Sequence, residues 1–344
     1  MNNSPLLTRT ECSALRALAI AGIVLHNYCH WLPGIIRENE YQMKQQNVDA
    51  LLGVLAAPDA NLPLHLLSFF GHYGVPVFLF LSAYGLVMKY EQTTADVPEA
   101  ADFVWRHFKK LFKMMIVGFV AFVIVDNMTP RAHHYHLTDV VGQLLMFNNL
   151  LPQPDHVIWP GPFWFFGLML QFYIVYRLLL CRRHWGLTVA LMVLCVGIQL
   201  TLQPDGDAMN RYRYNFMGGM LPFGAGLLYA RYGKAQSTLR HALWFAVSVA
   251  VVVIGSVGDR LTWALVPLFV VAAHVALIKL VPDGACQAVA RFGLLSAPLF
   301  VMHPAARKIV FSAYARSDVY AGLLLYLTLS IALAWACHEI LKKI

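Results

Sequence analysis

An arginine and a histidine lie ten positions apart on one apolar stretch near the start of the chain. Arg16 and His26 are separated by apolar residues alone, and in a helix this separation is roughly 15 Å. If the helix spans a bilayer, His26 is well inside it, where an ionisable group is costly and indicates function. A neutral imidazole there could take a proton from a hydroxyl that attacks a thioester. Alternatively, His26 only donates a hydrogen bond between helices while Arg16 extends to the interface.

A second group of chemically useful residues is the basic cluster, which we define as Arg106, Lys109, Lys110 and Lys113. Four cations within eight residues could bind the phosphates of a nucleotide-containing substrate. They could equally contact anionic lipid beside a membrane-spanning helix. The sequence leaves both interpretations open.

Polar groups recur in later apolar stretches. Gln171 and Tyr173 follow Trp164 in one stretch, and His303 precedes Pro304 in another. Pro76 interrupts the stretch that contains Ser82, and a proline there frees a backbone carbonyl. Each feature alone is ordinary in membrane proteins. Two buried histidines and a buried amide together exceed what a scaffold requires, and therefore favour a functional site.

These residues need a helical membrane framework to hold them. The 344 residues are 59% hydrophobic and 13% charged, whereas soluble domains have about 45–50% apolar and about 25% charged residues. The sequence therefore predicts an all-α, polytopic transmembrane helix bundle that forms a single integral membrane domain, 1–344. About ten runs are long enough to span a bilayer. We predict them at 14–32, 64–88, 111–128, 162–181, 185–202, 214–230, 239–257, 260–281, 290–311 and 319–341.

The distribution of charge predicts the orientation of these helices. With both termini inside, 17 of the 26 Lys and Arg residues fall on the inner side and nine on the outer side, as the positive-inside pattern requires. The net charge of +8 is scattered over segment ends, so we expect no nucleic-acid partner. The six cysteines are far apart, and we expect no metal.

The order of these features resembles membrane-bound acyltransferase family 3, which includes bacterial O-acetyltransferases of surface glycans. The resemblance covers nearly the whole chain. Several positions differ from the family pattern: Ser13 replaces an acidic residue, Ala83 replaces a glycine, Lys109 or Lys110 replaces an arginine, and Met169 and Leu170 replace carboxylates. The matching elements are Leu15-Arg16 with His26, the Gly74–Ala83 stretch, the basic cluster, Trp164 with Gln171-Phe172-Tyr173, and Gly293 with Ser296 and His303-Pro304.

The resemblance implies acyl transfer, with acetyl-CoA as the expected donor and a hydroxyl of a glycan or lipid-linked sugar as the acceptor. The protein would then sit in the bilayer of a bacterial inner membrane. His26 would be the catalytic base, and the sequence leaves open whether transfer is direct or proceeds through a covalent acyl-histidine. Arg16 and the basic cluster would bind acyl-CoA. Hydrogen bonds to the oxyanion would come from Gln171, Tyr173 and His303. The acceptor would be bound by Trp164, His30 and Ser82.

A proton-coupled transporter of small solutes is the alternative function. Intramembrane histidines and proline-broken helices suit such transport. However, the sequence shows no inverted repeat and few carboxylates within the apolar runs. A purely structural membrane scaffold would not account for the ordered polar residues.

Overall fold

The chain folds into helices throughout the part that the computed structural model describes, which is residues 6–93, 96–313 and 318–343. No strand occurs in these three ranges, so the predicted all-α class is confirmed. The α-helices are α1 (Arg9–Cys29), α2 (Gln45–Ala56), α3 (Leu62–Phe70), α4 (Gly74–Tyr90), α5 (Ala100–Met128), α6 (Leu137–Leu144), α7 (Pro154–Val157), α8 (Trp164–Val175), α9 (Trp185–Thr201), α10 (Asp207–Arg213), α11 (Phe216–Tyr232), α12 (Thr238–Val257), α13 (Arg260–Leu280), α14 (Asp283–Phe292), α15 (Ser296–Ala313) and α16 (Val319–Leu341).

The helices are those of an integral membrane protein, but fewer of them than predicted are long and apolar enough to cross a bilayer. Within the described residues, seven helical segments are long and apolar enough to cross a bilayer, against about ten predicted. Helices α9 and α11 have only 17 residues each, roughly 25 Å at 1.5 Å per residue. The orientation stays a prediction. The seven segments are Arg9–Cys29, Leu62–Tyr90, Gly161–Leu180, Thr238–Val257, Arg260–Leu280, Asp283–Ser312 and Val319–Leu341.

Helix α1 occupies the centre of the bundle, where it contacts α3, α4, α13, α14, α15 and α16. Its start is fixed by a capping box. The Thr8 hydroxyl accepts from the Glu11 backbone N–H, and the Glu11 carboxylate accepts from the Thr8 N–H at 2.7 Å. Such a cap satisfies two backbone donors that a helix start leaves unpaired. Glu11 also forms a 2.7 Å ion pair with Lys279 of α13, which ties this end of α1 to its neighbour.

The turn between α3 and α4 packs against α1 through glycine. A Cβ atom at Gly71 would lie 2.6 Å from the Cβ of His26, and a Cβ at Gly74 would overlap the backbone oxygen of Ala19. Small residues at helix contacts let backbones approach closely in membranes. The glycines therefore set the distance between the α3–α4 turn and the part of α1 that carries His26.

The end of the bundle away from His26 is held by a buried ion pair. Arg231 of α11 donates from two guanidinium nitrogens to the two oxygens of Glu91, each at 2.7 Å, and also to the Leu180 backbone oxygen at 2.7 Å. This bidentate arrangement is the strong form of a charged hydrogen bond. It joins α11 to the residues that follow α4 and α8. This end of the bundle is therefore fixed by charged hydrogen bonds.

Candidate active site

A cavity of about 260 Å³ lies at the end of the bundle where α1 ends and where α4, α8 and α11 begin. His26, in the last turn of α1, lines this cavity, and the following loop adds Glu38 and Glu40. A smaller extension of about 40 Å³ shares Glu40 and His72 and reaches Leu79 of α4. The other charged and aromatic side chains of the main cavity include Trp31, Tyr41, Asp155, Trp159, Trp164, Tyr214 and Arg307.

The hydrogen bond of His26 selects one tautomer of its ring. Its Nδ1 lies 2.7 Å from the backbone oxygen of Ser68, and a carbonyl oxygen can only accept a hydrogen bond. Nδ1 therefore carries the proton, so that the neutral ring has its lone pair on Nε2. Because the side chain is only 4% exposed and lines the cavity, Nε2 is the nitrogen that can accept a proton from a bound hydroxyl.

Glu38 lies next to this nitrogen. Its Oε1 is 3.9 Å from His26 Nε2, and both of its oxygens are 3.1 Å from His30 Nδ1. Burial acts to raise the pKa of Glu38, but the two histidines and the hydrogen bond from His30 outweigh it and hold that pKa well below its usual range. Asn47 fixes the loop by donating to the Glu38 backbone oxygen at 2.9 Å. A negative charge is thus held where it stabilises a protonated His26.

Glu40, two residues further along, has the opposite behaviour. Burial, reinforced by the negative charge of Glu38, raises the pKa of Glu40 to about 8, although Arg213 opposes the shift. Arg213 also donates to the Glu40 backbone oxygen at 3.0 Å. Near pH 7 the cavity therefore holds one ionised carboxylate that only accepts hydrogen bonds and one neutral carboxyl group that can also donate one.

Aromatic rings and a guanidinium complete the cavity wall. The rings of Tyr41 and Tyr214 are stacked with centroids 4.1 Å apart, and the Trp164 ring stands edge-on to both. Arg307 lies over the Trp31 ring at 4.7 Å and donates to the side-chain oxygen of Asn27 at 3.0 Å. The cavity thus combines a base, a carboxylate, a buried cation and flat apolar surfaces, which together suit the attack of a polar hydroxyl compound on an acyl group.

The comparison with protein families is consistent with this geometry. Residues 11–339 match the acyltransferase domain of acyltransferase family 3, which is nearly the whole chain. The chain belongs to acyltransferase family 3. No curated protein and no solved structure shows significant similarity to this acyltransferase.

Three of the residues predicted from the sequence meet in the cavity of this acyltransferase. His26, His30 and Trp164 all line it, and the rings of His26 and His30 are 4.9 Å apart. His30 lies four residues after His26, about one helical turn on, which puts both imidazoles on the same side of the helix.

The residues predicted to bind an oxyanion are not among those that line this cavity. Gln171 donates to Asn215 at 2.7 Å and accepts from the Phe216 backbone N–H at 2.9 Å, so both ends of its amide serve the start of α11. Tyr173 packs on the ring of His107 at 4.1 Å. His303 is fully buried, and its Nδ1 lies 3.0 Å from the Leu299 oxygen of its own helix. Their catalytic roles stay predictions that the geometry does not support.

The residues predicted to bind acyl-CoA lie towards the end of the bundle away from the cavity. Arg16 and the whole basic cluster are exposed, and the cluster occupies the first half of α5, which starts at the end where α4 finishes. Arg16 is ten residues before His26 on α1. Ser82, predicted to bind the acceptor, donates to the Phe78 oxygen within α4 at 2.7 Å and does not line the cavity. The donor-side roles stay predictions.

Several cavity residues were not found from the sequence. They are Glu38, Glu40, Asp155, His72 and Arg307. The two glutamates alternate in a loop directly after the helix of His26, and Arg307 lies four residues after His303, one helical turn on. Closeness in sequence to the two histidines is the one signal that indicates these three residues. A loop has no periodicity from which to infer which side chains point inward.

Proposed function

We propose that the enzyme transfers an acyl group, acetyl in the first instance, from acyl-CoA to a hydroxyl of a glycan or lipid-linked sugar in a bacterial inner membrane. The observation that carries this proposal is the Nε2 lone pair of His26, which faces a polar, aromatic-lined cavity in a chain of this family. A buried imidazole with a fixed tautomer is suited to general base catalysis.

The proposed chemistry is direct attack by the acceptor. His26 Nε2 takes the hydroxyl proton while the hydroxyl oxygen bonds to the thioester carbon. The C–S bond then breaks, and the imidazolium returns the proton to the departing thiolate. Glu38 would stabilise the imidazolium, since it lies 3.9 Å from Nε2. Arg307, which lines the same cavity, is the best-placed cation to stabilise the oxyanion.

A sugar acceptor is supported by the character of the cavity wall. The stacked pair of Tyr41 and Tyr214 and the nearby Trp164 offer flat faces on which the apolar side of a sugar ring can pack. Glu38 and Asp155, lining the same space, can accept hydrogen bonds from sugar hydroxyls. We infer that the acceptor enters from this end of the bundle.

The donor is proposed to approach from the opposite end. The exposed basic cluster would bind the phosphates of acyl-CoA, and the acyl arm would extend along α1 past Arg16, over roughly 15 Å, towards His26. This arrangement separates a water-soluble donor from an acceptor on the other side of the bundle.

Neutralising the basic cluster tests the donor side. In Arg106→Gln/Lys109→Gln/Lys110→Gln we expect the KM for acetyl-CoA to rise about tenfold, because hydrogen bonds to charged groups contribute about 1.5–3 kcal/mol, with kcat little changed. Initial rates at several acetyl-CoA concentrations give both constants. The matched control is Arg183→Gln/Lys234→Gln/Arg240→Gln, which removes exposed cations elsewhere. An equal rise in both triple variants would leave only a general charge effect and refute the assignment.

The proposed function itself is tested against the transporter hypothesis. Purified enzyme in lipid nanodiscs is given acetyl-CoA labelled in its acetyl group, together with glycan or lipid-linked sugar acceptors. The label is followed into the acceptor, and the free CoA thiol is measured separately with a thiol reagent. We expect acceptor-dependent, stoichiometric release of thiol, absent from the His26→Gln variant. In parallel, vesicles with the same protein are tested for pH-driven solute uptake. Uptake without acyl transfer to any hydroxyl acceptor would favour the transporter.

A further inference from the structure

Three side chains of types that can ligate a metal meet in the wall of the candidate site. His26, His30 and Glu38 each offer one ligand atom, and these atoms lie within 4.8 Å of one another. The individual separations from Glu38 are 3.9 Å to His26 Nε2 and 3.1 Å to His30 Nδ1. All three side chains are largely buried, with Glu38 only 11% exposed. This is a compact donor set rather than a cluster of surface charges.

We propose that His26, His30 and Glu38 form a binding site for a divalent zinc ion. Two imidazole nitrogens and one carboxylate are a donor set that zinc uses when a fourth position stays open. Tetrahedral ligands at about 2.0–2.1 Å from zinc are about 3.4 Å apart. One of the separations from Glu38 is already below this value and the other exceeds it by half an ångström. With all three ligand atoms within 4.8 Å of one another, the site needs a contraction of at most about 1.4 Å to reach tetrahedral spacing.

The surroundings of His26 support metal binding. A histidine that ligates a metal almost always donates its other ring N–H to a carbonyl or carboxylate, which fixes the ring. His26 has this arrangement, because its Nδ1 donates to the Ser68 oxygen at 2.7 Å and Nε2 is left for the ion. Ser68 is itself held by a 2.6 Å hydrogen bond from its hydroxyl to the Ile36 oxygen. The Nδ1 side of the ring is therefore already held in the way that a metal-bound histidine requires.

Zinc binding would also depend on the proton of His30 and on the other charged groups of the cavity. His30 Nδ1 currently shares a proton with Glu38, and zinc would displace that proton to the other ring nitrogen or to solvent. Arg307 lines the same cavity and opposes a cation, whereas Asp155 on the same wall is an acidic group that favours one. The cavity leaves space beside the three ligands for a water as fourth ligand.

Zinc at this site would inhibit acyl transfer, an effect that rests on the proposed function. The lone pair that binds zinc is the His26 Nε2 pair that would take the hydroxyl proton. Both cannot occur at once. Zinc is therefore expected to compete with the acceptor and to leave the KM for acetyl-CoA unchanged.

The binding test uses full-length purified protein in detergent, stripped of metal by a chelator and titrated with ZnCl₂ in a calorimeter. We expect one tight site, with a Kd that rises at least tenfold in His30→Ala and in Glu38→Gln. Two controls are His274→Ala, which alters a membrane histidine outside the cavity, and His134→Ala/His136→Ala, which removes exposed histidines that could bind zinc adventitiously. Loss of tight binding in the second control with none in His30→Ala and Glu38→Gln would overturn the proposal.

The activity arm separates this proposal from the proposed function. Acetyl transfer is measured over a zinc series in the native enzyme and in Glu38→Gln, and each rate is divided by the zinc-free rate of the same enzyme, because Glu38 belongs to the proposed catalytic site. Inhibition is expected at concentrations that match the calorimetric Kd, and the variant should need at least tenfold more zinc for the same fractional inhibition. Tight binding by a protein that transfers no acyl group would support the zinc site and refute the enzymatic function. Normal activity with the zinc site saturated would overturn the inhibitory role.

Discussion

Replacing His26 with glutamine is expected to lower kcat for acetyl transfer about 10³-fold, within the range that a general base contributes. The amide of glutamine can still donate to the Ser68 oxygen, which His26 Nδ1 contacts at 2.7 Å, so the packing between α1 and α3 is kept. It cannot accept a proton at neutral pH. The rate should therefore fall while the KM for acetyl-CoA changes little. Initial rates on purified protein in nanodiscs, with thermal unfolding as a check of folding, measure both effects.

A second membrane histidine provides the matched control. His274 of α13 also has its Nδ1 near a backbone oxygen, that of Val270 at 2.8 Å, but it lines an apolar pocket away from the cavity. His274→Gln makes the same chemical change and should keep nearly full activity. A His26→Gln enzyme with more than a tenth of the native kcat would exclude His26 as the base.

The sequence predicted the helices because bilayer-length apolar runs leave few alternatives for the backbone. All ten predicted runs fall on helices, yet only seven segments in the described ranges meet the criteria for a span. The difference arises in α5, α9 and α11. Helix α5 begins with the basic cluster, whereas α9 and α11 are short at 17 residues each. Whether a short apolar helix crosses a membrane depends on tilt and neighbours, which one sequence does not contain.

The sequence also predicted that His26 belongs to the candidate site, since an ionisable residue deep in an apolar run is visible from spacing alone. In the structure His26 lines the cavity, and its role as the base stays a prediction. The residues that complete the cavity were not visible in this way. Glu38 and Glu40 belong to a loop whose path depends on distant contacts, such as the hydrogen bond from Trp263 to the Asn39 oxygen at 2.9 Å. Such contacts join residues far apart in the chain and have no local pattern.

Gln171 illustrates why a polar residue in an apolar run is a weak indicator of catalysis. From the sequence it was a candidate oxyanion donor, because an amide in an apolar run is expensive to bury. In the structure, hydrogen bonds at the start of α11 offset the cost of placing this amide in the bundle. It accepts from the Phe216 N–H at 2.9 Å and donates to the Asn215 side chain at 2.7 Å. The sequence alone does not distinguish these structural contacts from a catalytic role, because the partners of Gln171 lie 44 and 45 residues away.

Replacing Gly71 with alanine is expected to lower kcat about 10²-fold while the protein still folds. The new Cβ would lie 2.6 Å from His26 Cβ and 2.8 Å from the Gly22 oxygen, so α1 must move away from the α3–α4 turn. That movement lengthens the bond between His26 Nδ1 and the Ser68 oxygen and displaces Nε2. A misplacement of about 1 Å can cost about 10²-fold in rate, whereas such overpacking typically costs about 1–3 kcal/mol in stability.

Gly85→Ala on α4 is the matched control for this variant, because its Cβ would meet nothing within 4 Å and alanine is the better helix former. It should keep the native kcat with equal or greater stability. The KM for acetyl-CoA should be unchanged in both variants, since neither touches the basic cluster. An unaltered kcat in Gly71→Ala would mean that the helix contact does not position His26, whereas an equal loss in Gly85→Ala would attribute the effect to α4 in general. Only a selective loss connects the close approach at Gly71 to the chemistry at Nε2.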